Sequence, residues 1–477
     1  MDATSVREGF YAVIPSIPEG MIQSPNISIA GTVMSNLLIQ NARMVNEGRE
    51  FNGDLRIRDQ RIAAIAPHLF PRSDEKVLDI KGRWLFPGVI DAQVHFREPG
   101  FEYKGDLSSE PAAAVAGGVT SYLEMPNTKP PVLDNEALED KYHRASGRSR
   151  ANFGFYFGTS NDNLEAIKRI DPKTTPGLKI FMGASTGNML VDDPDILNAI
   201  FSHTPVPIIT HCEDTPMIEA EMAKARAIYG DDIPVDLHGE IRSREACIKS
   251  TRLAISLAKK HSTPLHVLHI STAEELELFA PGPVTGKLIT AETCVHFLHF
   301  ARNDYFRLGN FIKCNPAIKE ASDREAILRA IADDRVDVLA TDHAPHTLEE
   351  KQLPYIKAPS GLPLVQDFLV VALQKVRDGH FSLPHLIQKI CHNPALRFGI
   401  QERGFLREGF FADLVIVEPN ASTDITRDKV LSKCGWSPFE GQHFNAKIAA
   451  TFVNGELAYD GARLVGAPLG QRLRFSR

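Results

Sequence analysis

Residues 88–404 repeat one local pattern, a short apolar run followed by a stretch of helical period. The apolar runs are GVIDAQVHF, VTSYLEMPN, NFGFYFGT, GLKIFMG, VPIITHCED, PLHVLHIST, KLITAETCVHF and VDVLATDHAPH. Helical patterns occupy residues 108–116, 163–170, 195–201, 239–260, 274–279 and 324–333 between them. Strands buried on both faces read as continuous apolar runs, and parallel strands need helical crossovers. A βα unit repeated eight times over roughly 250 residues therefore predicts an α/β chain with a TIM-type (β/α)8 barrel. Chemistry in such a barrel sits where the strands end, and polar residues cluster at those ends here.

The two ends of the chain read differently. Short β-like runs (LLIQNARMV, LRIRD, RIAAIAP, EKVLDI, RWLF) fill residues 37–86, and similar runs return as DLVIVEP and AATFVNGELAYDG. Asn454-Gly455 between alternating apolar residues is a strong hairpin signal. Residues 34–87 and 405–477 are thus expected to build one small β-sandwich-like domain from both chain ends. Residues 1–33 hold Pro15, Pro18, Gly20, Pro25 and Gly31 without a sustained period. They read as a disordered extension, or as sequence upstream of a natural start at Met34.

Composition narrows the function classes. Lys and Arg number 53 against 60 Asp and Glu, a net charge of −7, which offers no electrostatic reason to bind nucleic acid or an anionic membrane. The six cysteines are scattered without a CxxC pair, which fits a reducing compartment better than a disulfide framework. No apolar run approaches the roughly 18 residues of a membrane span, and no signal peptide is recognisable, so a cytoplasmic enzyme is expected.

Five potential metal ligands follow five of the eight strands: His95, Lys179, His211, His269 and Asp342. Singly each has a dull explanation, but a barrel gathers strand ends onto one rim. Lys179 is the odd member, since an ammonium repels a cation. A neutral amine can instead add carbon dioxide, and burial lowers a lysine's pKa enough to allow it. The resulting N-carboxylated Lys179 carries two oxygens suited to bridging two ions. His211 and His269 then complete one Zn2+ site, and His95 and Asp342 the other.

Seven motifs, in order, give the chain a family resemblance: DAQVHFREPG at 91–100, EMPNT at 124–128, LKIFMGASTG at 178–187, THCED at 210–214, HVLHIST at 266–272, CNPAIK at 314–319 and TDHAPH at 341–346. Together they resemble dihydroorotase, a cyclic amidohydrolase of the amidohydrolase superfamily. The resemblance implies reversible conversion of L-dihydroorotate to N-carbamoyl-L-aspartate in pyrimidine biosynthesis, with Asp342 as proton shuttle as well as ligand. It also implies that Arg97, Asn127 and His346 contact the substrate carboxylate and that Asn315 holds the ring. Residues 346–363 are expected to form a loop lining the pocket. For partners, the resemblance implies a small-molecule substrate, a homodimer, and an association with aspartate transcarbamoylase.

The chain departs from the family pattern at three places. Gln93 stands where relatives carry the first histidine of His-x-His, Lys319 where arginine is frequent, and Phe297 where a second histidine often follows His296. A neutral amide oxygen is a poorer zinc ligand than imidazole, so Gln93 is expected to be a weak or absent ligand. One tightly held Zn2+ and a weaker second ion follow from that. The rival readings are an allantoinase or dihydropyrimidinase-like enzyme, and a non-catalytic homologue acting as a scaffold for aspartate transcarbamoylase.

Overall fold

The computed structural model describes residues 36–183 and 189–477. The proline- and glycine-bearing stretch 1–33 lies outside them.

Every apolar run read as a strand contains one, in several cases shorter than the run. Val89–Val94, Val119–Glu124 and Asn152–Phe155 pair in parallel as one sheet. Phe157–Gly158, Leu178–Phe181, Ile208–His211, Leu265–Val267, Ile289–Cys294 and Val338–Ala340 pair in parallel as another, in chain order. The two sheets adjoin at both edges. On one side only Tyr156 separates Asn152–Phe155 from Phe157–Gly158. On the other a parallel bridge joins Val94 to His343, with His95 N donating to His343 O at 2.7 Å. Ile90, Ala92, Leu123, Met125, Tyr156, Ile209, Leu268 and Val338 belong to one buried cluster, so side chains from both sheets share a core.

Helices fill the gaps between strands, with one correction to the sequence reading. The pattern at 239–260 is two helices, His238–Ile241 and Arg244–His261. The break comes from Ser243, whose hydroxyl accepts from Ala246 N and starts a new helix, leaving Arg242 outside helical geometry. Similar caps stand just past the polar strand ends. Asp214 caps Thr215–Tyr229, Thr272 caps Ala273–Leu276, and Thr347 with Glu350 makes a capping box on Leu348–Lys351. Each cap fixes the backbone a few residues after a candidate ligand.

The chain ends meet in a further sheet. Its strands run in the order Glu456–Tyr459, Lys447–Val453, Leu414–Glu418, Trp84–Pro87, Asn36–Asn46, Arg49–Arg58, Arg61–Ala66, with Lys76–Asp79 pairing Asn36–Asn46. The join is antiparallel, Leu414 opposite Pro87 through Val417 opposite Trp84. Asn454 and Gly455 both take positive φ, 52° and 81°, as a two-residue turn matching the twist of its strands requires. All six cysteines are free and buried. No helix among the described residues is long and apolar enough to cross a membrane.

Candidate active site

Three of the predicted site residues sit in the left-handed region that non-glycine residues avoid: Arg97 at φ 76°, His269 at 38° and Asp342 at 52°. Strain of this kind costs of order 1–3 kcal/mol and persists where the surroundings impose it. All three lie just past the end of a strand, where the chain must turn a side chain inward.

The imidazoles and carboxylates form two pairs. In the first, His95 Nε2 lies 3.0 Å from Asp342 Oδ1, with both side chains 11% exposed. His95 Nδ1 lies 2.8 Å from Asn127 Oδ1. With Nδ1–H donating to that amide oxygen, a neutral His95 turns the Nε2 lone pair toward a carboxylate oxygen. An imidazolium or a cation between the two atoms relieves that contact, as does turning the Asn127 amide so that its N–H donates to Nδ1 and Nε2–H donates to Asp342. Burial depresses the His95 pKa, more than the neighbouring Asp342 restores, and so disfavours the imidazolium. Asp342 stays below the usual carboxylate range, because the His95 contact and the charges nearby outweigh its burial.

In the second pair, His211 Nδ1 lies 3.0 Å from His269 Nε2. His211 Nε2 donates to Glu213 Oε2 at 2.9 Å, which leaves Nδ1 as its lone-pair nitrogen. Glu213 is anchored in turn by Arg242, released from its helix by the Ser243 cap. Burial pushes both histidines below their ordinary pKa, and so toward the neutral, ligating form. Zinc–nitrogen bonds run about 2.0–2.1 Å, so two nitrogens at 3.0 Å can reach one ion.

Lys179 acts on both pairs. Its charge depresses His95, His211 and His269, and Asp342 in turn favours its protonation. Among the described residues no carboxylate comes within ion-pair distance of its amine, which lies 4.5 Å from the centre of the Phe181 ring. Burial brings the Lys179 pKa down to about 7, where a neutral amine is accessible. Among the described residues no three His, Cys, Asp or Glu side chains are assembled as one cage. The donor set is therefore two pairs with a lysine acting on both, and it suits divalent ions only if that lysine becomes an oxygen donor.

Gln93 is tied to the first pair by its nitrogen. Nε2 donates to Asp342 Oδ1 at 2.9 Å, while Oε1 lies 4.0 Å from Cys294 Sγ. In this arrangement the amide oxygen is turned away from the histidine–aspartate pair.

A third group lies beside these. The Arg97 guanidinium donates through Nε to Pro345 O at 3.0 Å, and Nη2 lies 3.0 Å from His346 Nε2. It is half-buried, burial brings its pKa to about 10, and among the described residues it has no ion pair. Trp436 Nε1 fixes the loop by donating to His346 O at 2.8 Å. Farther along the 346–363 loop, the buried Lys351 amine donates to the carbonyls of Lys313, Pro359 and Gly361. Asn315 is not joined to the other candidates by any described hydrogen bond, although its Oδ1 is buried without a partner among the described residues. Cys212 turns to Thr210 Oγ1 and packs in the core.

Sequence reasoning passed over Glu213, Arg242, Lys104 and Lys351. Glu213 was legible in principle, standing two residues after His211 inside a quoted motif. The others depend on long-range placement that no local pattern announces.

The amidohydrolase family model matches residues 84–458. A dihydroorotase of Halobacterium salinarum is 33% identical over 411 residues, covering 86% of this chain and 93% of the relative. One of Pyrococcus furiosus is 31% identical over 438 residues, covering 91% and 96%. Among solved structures, an L-hydantoinase (dihydropyrimidinase) from Arthrobacter aurescens superposes with a TM-score of 0.87 at 26% identity, covering 92% of this chain and all of that one. A family model spanning most of the chain and relatives matched nearly end to end agree that the chain belongs to the amidohydrolase family and, within it, to the dihydroorotases.

Proposed function

We propose that this protein is a metal-dependent cyclic amide hydrolase that interconverts L-dihydroorotate and N-carbamoyl-L-aspartate in pyrimidine biosynthesis. The observation that carries the substrate is Arg97: a half-buried guanidinium with no direct ion pair among the described residues suits an anionic ligand. Dihydroorotate brings a carboxylate to it. Hydantoins and simple dihydropyrimidines are uncharged there and would leave the guanidinium unpaired, which sets the hydantoinase reading behind.

On this reading the two parallel sheets work as one eight-stranded barrel, with Asn152–Phe155 and Phe157–Gly158 counting as one strand, that carries every candidate ligand on one rim. The sheet made from both chain ends, within residues 36–87 and 405–477, forms a second unit packed against it. N-carboxylated Lys179 with His95 and Asp342 would hold one ion, and with His211 and His269 the other. Bound there, zinc would polarise the ring carbonyl and make water a nucleophile at neutral pH.

The chain's own residues carry the remaining work. Arg97, the free amide N–H of Asn127 and His346 orient the substrate by its carboxylate, and Asn315 holds the ring. Asp342 accepts a proton from the attacking water and returns it to the ring nitrogen as the C–N bond breaks, and the synthetic direction reverses both transfers. Glu213 keeps the His211 ring turned and its Nδ1 unprotonated.

Comparing Arg97→Met with the natural protein on two substrates tests this reading. Loss of a charged contact should cost a few kcal/mol in kcat/KM on L-dihydroorotate. Turnover of uncharged 5,6-dihydrouracil, however slow, should scarcely change. Equal losses on both would make Arg97 structural and remove the basis for a carboxylate substrate.

A further inference from the structure

Lys104 follows the first motif by four residues and has no part in the scheme above. It is nevertheless buried, 9% exposed, with its amine 2.9 Å from His346 Nδ1 and 2.9 Å from Glu350 Oε1. An ammonium can only donate, so His346 Nδ1 must accept. The neutral ring then carries its proton on Nε2, and Ser360 O, an acceptor only, lies 3.0 Å from that nitrogen. Lys104 and Ser360 O thus agree on one tautomer. Burial holds His346 well below its ordinary pKa, so the tautomer, not a second proton, decides what the ring presents.

The consequence falls on Arg97. Its Nη2 lies 3.0 Å from the same Nε2, and a guanidinium also only donates. The one Nε2–H is directed at Ser360 O, so Arg97 Nη2–H meets a nitrogen with no lone pair to offer, an arrangement that an anion accepting from Nη2, and from Nε2–H in place of Ser360 O, would relieve. With the proton on Nδ1 instead, Nε2 would turn a lone pair toward that anion and repel it.

We propose that Lys104 is a positioning residue that fixes His346 as an Nε2–H donor and thereby sets the enzyme's preference for a carboxylate-bearing substrate. This rests on the reading that Arg97 and His346 receive that carboxylate. Glu350 balances the Lys104 charge, so the lysine's contribution is the direction of a hydrogen bond rather than added positive charge. Without Lys104, Glu350 Oε2, already 3.7 Å from Nδ1, becomes the partner that draws the proton to that side.

The test compares Lys104→Met with Lys104→Gln, whose amide N–H can still donate to Nδ1. The tautomer is read directly by nitrogen NMR of 15N-histidine-labelled holoenzyme, with the His346 signal assigned by its absence in His346→Gln. The native protein and Lys104→Gln should show the Nε2–H form and Lys104→Met the Nδ1–H form. In parallel, the KM for L-dihydroorotate should rise about tenfold or more in Lys104→Met, the scale of one hydrogen bond to a charged group, with kcat little changed and Lys104→Gln largely restoring it. An Nε2–H tautomer surviving in Lys104→Met, or an unchanged KM, overturns the assignment. Should Lys104→Met fail to fold, a Lys104→Gln protein with the Nδ1–H form does the same. If the native protein does not turn over dihydroorotate, the proposed function falls, while the tautomer measurement still decides the role of Lys104.

Discussion

Gln93 Nε2 and His95 Nε2 converge on the same atom, Asp342 Oδ1, at 2.9 and 3.0 Å. The glutamine spends its donor on the aspartate and offers no oxygen to the pair. A site formed by His95, Asp342 and a carbamate would then lack the imidazole that Gln93 replaces, whereas a site formed by the carbamate, His211 and His269 keeps both imidazoles and is braced by Glu213. Unequal occupancy follows: one ion held tightly, the other removable by dialysis or a mild chelator. Gln93→His should tighten the weaker ion, since imidazole nitrogen is the better zinc ligand, and competitive chelator titration measures this directly. Two equally tight ions in the natural protein, indifferent to Gln93→His, would show that the glutamine is silent.

Lys179→Ala removes the residue proposed, as a carbamate, to offer oxygens to both pairs. The variant should purify with little metal and little activity, and short carboxylic acids should restore part of each by standing in for the missing carbamate. Carbon dioxide reacts with the neutral amine alone. Because burial brings the Lys179 pKa to about 7, the amine is mostly neutral above that pH and increasingly cationic below it. Metal-free protein stripped of carbon dioxide should therefore reload faster at pH 8 than at pH 6 when zinc is supplied at the same dissolved carbon dioxide concentration. A fully metallated, active Lys179→Ala protein contradicts the assignment.

Asp342→Asn keeps the shape of the side chain but cannot shuttle a proton. It should abolish turnover in both directions while the His211–His269 ion remains bound, as metal analysis would record. The hydrolytic pH profile of the natural enzyme should require a deprotonated group, and the synthetic profile its protonated form. Near-normal turnover in Asp342→Asn would take the residue out of the mechanism.

Glu213→Gln tests the brace on His211. The neutral amide keeps the size of the side chain, but loses the charge that Arg242 and the imidazole N–H both address. Such partners of ligating histidines typically contribute 10–100-fold to metal affinity. The tighter ion should weaken by about that factor while the binding of a carboxylate ligand to the Arg97 site is unchanged. An unaltered metal affinity would make Glu213 a packing residue.

Much of this was legible in local pattern because the relevant physics is local. The eight apolar runs are strands because side chains buried on both faces leave no polar alternation to read. Asn454-Gly455 is a turn because only residues that tolerate positive φ fit it. His95, Lys179, His211, His269 and Asp342 could be singled out because strands in a parallel sheet deliver their C-terminal ends to one side. The break at Ser243 was missed because the helical period continues across it, and only the hydroxyl's capping bond interrupts the helix.

What tertiary structure alone decided is the direction in which polar atoms point. The sequence places a glutamine two residues before His95. That its nitrogen, not its oxygen, meets Asp342 depends on a contact across 249 residues of chain. Arg97 is present as a letter in the sequence, but the lack of a counter-ion around it among the described residues is a property of the folded pocket. Lys104 joins the site only because residues 242 positions apart bring an ammonium to His346 Nδ1. Periodicity reports which face a residue occupies, since burial of apolar surface is non-directional. Hydrogen bonds and charges are directional and short-ranged, so their partners are set only once the chain has closed.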